Sequence, residues 1–232
     1  NMGKYIGNIV TDNVPTGYSC QFNGSSQYLT LPSDAAFSFG TGDFTIECWF
    51  YVTALNSVAN GIFQQGTSLF PASTTNTVAF GTLNTTNFQI YAANSQYAFS
   101  PAVVPVLNTW YHIALVRSSG TTTVYLNGVA NRSVADTTNY TGTYFGIGDI
   151  YGGFSYRQNG YISNLRVVKG AAVYTSAFNP PTQLRNISGT SLLACQQPQI
   201  IDASSNSFAI TNTGGVDRKS TRLNSSHTDI SR

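Results

Sequence analysis

The sequence predicts an all-β chain folded as an antiparallel sandwich, and three observations carry that prediction. Only 9% of the 232 residues are charged, against 41% hydrophobic and 13% aromatic, a balance far from helix-rich, coiled-coil or charge-driven disordered chains. Short β-branched and aromatic runs recur along the chain, each closed by a cluster of turn-forming residues. Apolar residues show no sustained 3.6-residue repeat of the kind that marks an amphipathic helix. A chain of this length buries about 70–75% of its unfolded surface without disulfide staples.

In order, the expected strands are residues 28–32 (YLTLP), 44–52 (FTIECWFYV), 61–65 (GIFQQ), 88–91 (FQIY), 110–117 (WYHIALVR), 121–126 (TTTVYL) and 160–169 (GYISNLRVVK). Turn clusters such as FNGSSQ, SSG, NGV and GDIYGG lie between them. The sharpest local signal is Asn127-Gly128, a pair suited to the positive φ angles of a two-residue hairpin turn. Ser118-Ser119-Gly120 joins the preceding pair, so three consecutive strands form a meander. Side chains alternate across a strand, which puts Phe44, Ile46, Cys48, Phe50 and Val52 on the core face and Thr45, Glu47, Trp49 and Tyr51 on the other. Residues 196–216 are the loosest part, either a terminal strand or the start of a further segment.

The last sixteen residues stand apart. DRKSTRLNSSH, residues 217–227, resembles the translation of a short-read sequencing adaptor, so residues 217–232 are expected to be a non-native tail on an interrupted reading frame from environmental sequence. Three segments follow: a lead-in over 1–17, the sandwich over 18–216, and the tail over 217–232. Arg218, Lys219, Arg222 and Arg232 leave with Asp217 and Asp229, so seven cations then face seven anions. A duplex binder neutralising about six to ten phosphates would need nearly all seven of those cations on one face. They are scattered singly, so nucleic acid is not an expected partner.

No apolar run approaches the roughly 18 residues that span a bilayer, so membrane insertion is not expected. Cys20, Cys48 and Cys195 each sit in an apolar, strand-like segment and read as buried thiols. A Cys20–Cys195 bridge stays open. Zinc is disfavoured, because His112 and three widely separated cysteines form no pair with metal-ligand spacing.

FNGSSQYLTLP, GDFTIECWFY, NTWYHIALVRSSGTTTVYLNGV and NGYISNLRVVKGAAVYT, in that order from about residue 19 to 196, resemble the laminin-G-like branch of the concanavalin A-like lectin/glucanase superfamily. The ending, with Phe178-Asn179-Pro180-Pro181, is similar to a sub-type found in phage and viral structural proteins. The resemblance implies a jelly roll of two antiparallel sheets, often carbohydrate-binding or adhesive, and in some members dependent on calcium. Its glucanase members carry their carboxylates as E-x-D-x-E. Here Glu47 is followed at those positions by Trp49 and Tyr51, so no hydrolase is expected, and Glu47 reads as the partner of a backbone group or an arginine. His112 alternates with Trp110, Ala114 and Val116 and reads as a packed strand histidine.

The candidate binding segment is residues 146–159, GIGDIYGGFSYRQN. It offers aromatic faces in Tyr151 and Tyr156, an acid in Asp149, the Arg157 guanidinium and the Asn159 amide, the mixture that sugars require. Asp149 is also the expected calcium ligand. The expected function is a non-catalytic glycan-binding or adhesion module of a virion or cell-surface protein, with a surface glycan or polysaccharide, and other virion proteins, as partners. The alternative is a structural spacer with no ligand.

Overall fold

The computed structural model describes residues 14–83 and 85–221, and each of the seven expected runs lies in a strand, with ends shifted by a residue or two. In chain order the strands are β1 (Tyr18–Asn23), β2 (Tyr28–Thr30), β3 (Phe44–Val52), β4 (Gly61–Gly66), β5 (Val78–Leu83), β6 (Asn87–Ala92), β7 (Ser95–Ala98) and β8 (Trp110–Ser118). They continue with β9 (Thr121–Leu126), β10 (Val129–Ala135), β11 (Tyr144–Ile147), β12 (Asn159–Lys169), β13 (Thr190–Ala194), β14 (Thr211–Thr213) and β15 (Asp217–Ser220). Helix among the described residues is confined to two 3-10 turns, Ala35–Phe37 and Phe154–Tyr156. None of it is long and apolar enough to cross a membrane.

The strands make two antiparallel sheets. One has eight strands in the order β10-β9-β8-β3-β12-β1-β15, with β13 also on β12; the other has seven, β14-β2-β11-β4-β5-β6-β7. The longest strands, β3, β8 and β12, lie side by side in the first sheet. The alternation read from residues 44–52 holds. Phe44, Ile46, Cys48, Phe50 and Val52 all enter the core, where Phe50 meets Phe80 and Phe88 of the opposite sheet at ring distances of 5.1 and 5.6 Å. Each buried phenylalanine contributes about 1.5–3 kcal/mol relative to an exposed one.

The meander forms as expected. Asn127 and Gly128 have φ of 50° and 79°, and the Asn127 Oδ1 accepts from the His112 N–H at 2.8 Å. Ser119 and Gly120 also both have positive φ, so this connection too is a two-residue turn, with Ser118 already paired to Thr121.

Strands β5 and β11 were not anticipated. Each has a glycine in its interior where a neighbour presses in: a Cβ on Gly81 would lie 2.6 Å from the Asn60 carbonyl, and one on Gly146 would lie 2.3 Å from the Phe70 ring. Glycine there marks close approach, although by composition it reads as a turn. Residues 196–216 belong to the sandwich and end in a terminal strand. The buried Asp202 accepts from the N–H groups of Leu193, Ser204 and Phe208, and β14 closes on β2.

A strap over residues 170–184 covers much of the outer face of the eight-stranded sheet. Ala172, Tyr174 and Phe178 pack on Ala114, Val116 and Tyr125, the Trp49 Nε1 donates to the Pro181 carbonyl at 2.9 Å, and Phe178 bonds back to Gly128. Cys20, Cys48 and Cys195 are buried free thiols. The Cys20 thiol beside it, together with burial, holds Cys195 well above the usual thiol range.

The sheet also crosses the boundary expected at Val216. Residues 217–220 pair with β1 because β1 otherwise presents an open edge that any following extended segment can join. All four side chains are exposed, and the rest of the tail, 222–232, lies outside the described residues. Deleting residues 217–232 should therefore move the melting temperature by under about 2 °C, less than 1 kcal/mol for a chain of this size. A larger fall in differential scanning calorimetry would show that β15 is part of the folded unit.

Candidate functional site

Residues 146–159 begin in β11 and end in β12, so the segment is a short excursion between two paired strands. Gly148, at φ 84°, turns the chain inward, where a Cβ would strike the Phe22 ring at 2.5 Å. Hydrogen bonds from Gly148 N to the Ile62 carbonyl and from Gln158 N to the Gly148 carbonyl clamp the base. The excursion is held against β4 by Gly61, whose missing Cβ leaves room for the Ile150 backbone.

This inward turn puts Asp149 somewhere the sequence does not suggest. Its side chain has no solvent exposure, its Oδ2 accepts from the Arg157 Nε at 3.0 Å, and its Oδ1 lacks a well-formed hydrogen bond. Burial drives its pKa up to about 6, against the opposing pull of Arg157 and of the Ile150 and Gly152 backbone N–H groups. Arg157 in turn lies over the Tyr28 ring at 4.8 Å and donates to the Ser25 carbonyl.

The two tyrosines of the segment pack against each other. Tyr151 has a positive φ of 64°, unusual for a bulky residue, and the Gln64 Oε1 holds its N–H at 3.0 Å. Its ring meets Tyr156 at 5.1 Å and the buried Tyr91 at 5.3 Å. Burial, with Tyr151 beside it, raises the Tyr91 hydroxyl far above the ordinary phenol value. Tyr151 and Tyr156 are half-buried, and the Arg157 side chain is 11% exposed.

Of the five residues expected in the site, Asp149 contacts Arg157 and Tyr151 contacts Tyr156. Asn159 does not join them. It opens β12, and its Oδ1 accepts from the Thr53 Oγ1 at 2.9 Å. Tyr28, Gln64 and Tyr91 are the supports that sequence reading missed, since nothing in sequence sets them beside residues 149–157. As a calcium ligand Asp149 does not fit. It is enclosed, its partner is a guanidinium, and no group of three or more His, Cys, Asp or Glu side chains gathers among the described residues, whereas calcium takes six to eight oxygens.

Glu47 occupies a second enclosed position, under the strap. A bulge between Ser163 and Arg166 turns Arg166 onto the face of Glu47, where its Nε donates to Oε1 at 3.0 Å. The Tyr174 hydroxyl donates to Oε2 at 2.9 Å, and the His112 Nε2 lies 3.2 Å from the same oxygen. Burial opposes the charge, but His112 and Arg166 outweigh it and hold Glu47 below the ordinary carboxylate value. The arginine partner expected for Glu47 is present, and the packed histidine is its neighbour.

The order of the strands, the two-sheet sandwich and the loop-end site define a lectin-like jelly roll. The chain belongs to the concanavalin A-like lectin/glucanases superfamily, whose Laminin_G_3 model matches residues 23–173. Its fold is similar to that of a putative carbohydrate-binding protein from Bacteroides ovatus, with 20% identity and a TM-score of 0.67 over 89% of this chain and 60% of that one. This chain thus spans about 60% of the length of that relative. It is also similar to a SAP-like pentraxin from Limulus polyphemus, with 14% identity and a TM-score of 0.53 over 88% and 95% of the two chains. A third likeness is to the CBM40 of the Ruminococcus gnavus IT-sialidase bound to α2,3-sialyllactose, with 12% identity and a TM-score of 0.51 over 68% and 91%. No curated protein sequence matches the chain.

Proposed function

We propose that the chain is a non-catalytic carbohydrate-binding module of a virion or other cell-surface protein. The observation that carries this reading is the half-buried pair Tyr151 and Tyr156, on a segment whose base is fixed by the buried Asp149 and the Arg157 side chain, itself only 11% exposed. Two tilted rings offer faces for sugar C–H groups, and Arg157, held by Asp149 and the Ser25 carbonyl, fixes the base of the loop that carries them. Two of the similar folds are carbohydrate-binding proteins, which supports the same reading. A hydrolytic role lacks its chemistry. Glu47 is sealed beneath the strap, and Trp49 and Tyr51 stand where the further carboxylates would be.

A glycan array followed by titration of the hit tests this. Tyr151→Ala should weaken binding about tenfold or more through loss of a stacking face. Binding should also fall as pH drops through about 6, where Asp149 takes a proton and releases Arg157, and Asp149→Asn should abolish that step. The stability effect has the opposite sign. The folded value lies above the unfolded one of about 3.9, so the folded chain is favoured at the acid end and loses that contribution as pH rises through about 6. Chelator should change nothing. If no glycan binds, the spacer reading takes its place; if Tyr151→Ala binds the hit unchanged at every pH, the loop is not the sugar site.

A further inference from the structure

A second aromatic surface lies on the outer face of the eight-stranded sheet. Tyr51 on β3 is directly opposite both Trp110 on β8 and Tyr161 on β12, so one row across three strands carries three rings. Their centroids are 5.3 Å (Tyr51–Trp110), 5.6 Å (Tyr51–Tyr161) and 6.4 Å (Trp110–Tyr161) apart. The next row, Trp49, His112 and Ser163, is roofed by the strap through Pro181 and Phe178. The strap leaves the Tyr51 row half-buried in a groove of about 290 Å³ whose other wall is Ser19 and residues 219–221 of the expected non-native tail, so the three rings and not that wall define the site. That volume is near the lower end for small-ligand sites, about 300–1,000 Å³.

We propose that this groove is a second carbohydrate-contact site that takes the C–H face of a neutral sugar chain. The inference rests on the carbohydrate-binding reading and adds a site to it. Three observations carry it. The rings form one contiguous aromatic cluster, tilted or edge-on to one another, whose exposed ring parts an apolar sugar face can contact. Among the described residues the lining holds no carboxylate, and its one cation, Lys219 of the tail, is paired with Asp217 at 3.1 Å, so the described lining favours a neutral sugar. The ring planes meet at 57°, 73° and 44°, so the surface is cupped; it accepts one soluble chain and cannot lie flat on a crystalline polysaccharide.

The chain has only two tryptophans, and Trp49 is buried, which makes Trp110 a reporter. In a Trp49→Phe background, acrylamide quenching of Trp110 should fall severalfold on adding a soluble neutral glycan from a panel of barley β-glucan, galactan and galactomannan. It should not change with α2,3-sialyllactose. In the otherwise unaltered chain, affinity electrophoresis on the same panel should show about a tenfold or greater loss for Tyr161→Ala. Tyr161→Phe should retain the groove's binding. Glycan binding that Tyr151→Ala removes and Tyr161→Ala leaves intact would overturn the groove while the carbohydrate reading stands. Failure of every glycan, on the array and in the panel, would overturn both. Self-association lost in Trp110→Ala would make the groove a contact between copies and overturn the proposal.

Discussion

Glu47→Ala should lower the melting temperature by about 10 °C. The substitution leaves the Arg166 guanidinium, only 5% exposed, without its carboxylate, and removes the acceptor of the Tyr174 hydroxyl that ties the strap to the sheet. Breaking a buried pair from one side costs about 3–5 kcal/mol, and at about 2–4 °C per kcal/mol for a chain of this size the shift is large. Glu47→Gln should recover part of it by keeping an acceptor for Tyr174. The pH profile gives the sign. The folded value is depressed, so the stabilisation is present above the unfolded value of about 4.3 and is lost as pH falls through the folded value. Wild type and Glu47→Gln should therefore converge in acid. A fall under 3 °C for Glu47→Ala by calorimetry would mean that the pair contributes little.

Arg117→Met should be nearly as damaging, with a loss of about 3 kcal/mol or more in urea unfolding. Arg117 has no solvent exposure and lies between the Phe44 and Tyr140 rings at 5.1 and 4.9 Å. Its fork donates to the carbonyls of Gly42, Thr138 and Gly40 at 2.8, 2.7 and 2.7 Å, so methionine leaves a turn of buried acceptors without donors. Arg117→Lys should not restore stability, because a point charge cannot serve three carbonyls in one plane. Full recovery by lysine would show that charge alone matters there.

The sheets were legible because their signals are local. A nine-residue alternation in β3 sorted core from surface, and Asn127-Gly128 fixed a turn. The depth of Asp149 was not legible. Its segment reads as an open loop by composition, and it is the contact of Gly148 with Phe22 and of Gly61 with Ile150 that draws it inward. The Arg166 bulge was hidden for a related reason: the extra residues, with Asn164 at φ 51°, shift the alternation partway along β12. Tyr51, Trp110 and Tyr161 belong to three strands spread over more than a hundred residues, and only their register makes them neighbours.

The placement of charge has a consequence for the way the surface meets its medium. Among the described residues before Asp217, Glu47, Arg117, Asp136, Asp149, Arg166 and Asp202 are buried, and only Lys169 and Arg185 are fully exposed. The exterior is thus wetted mainly by hydroxyls and amides, and ions in solution find little there to screen. Added salt barely reaches the enclosed pairs, so neither folding nor contact at the half-buried rings should depend on ionic strength as a charged interface would. Such a surface changes little from fresh water to brine.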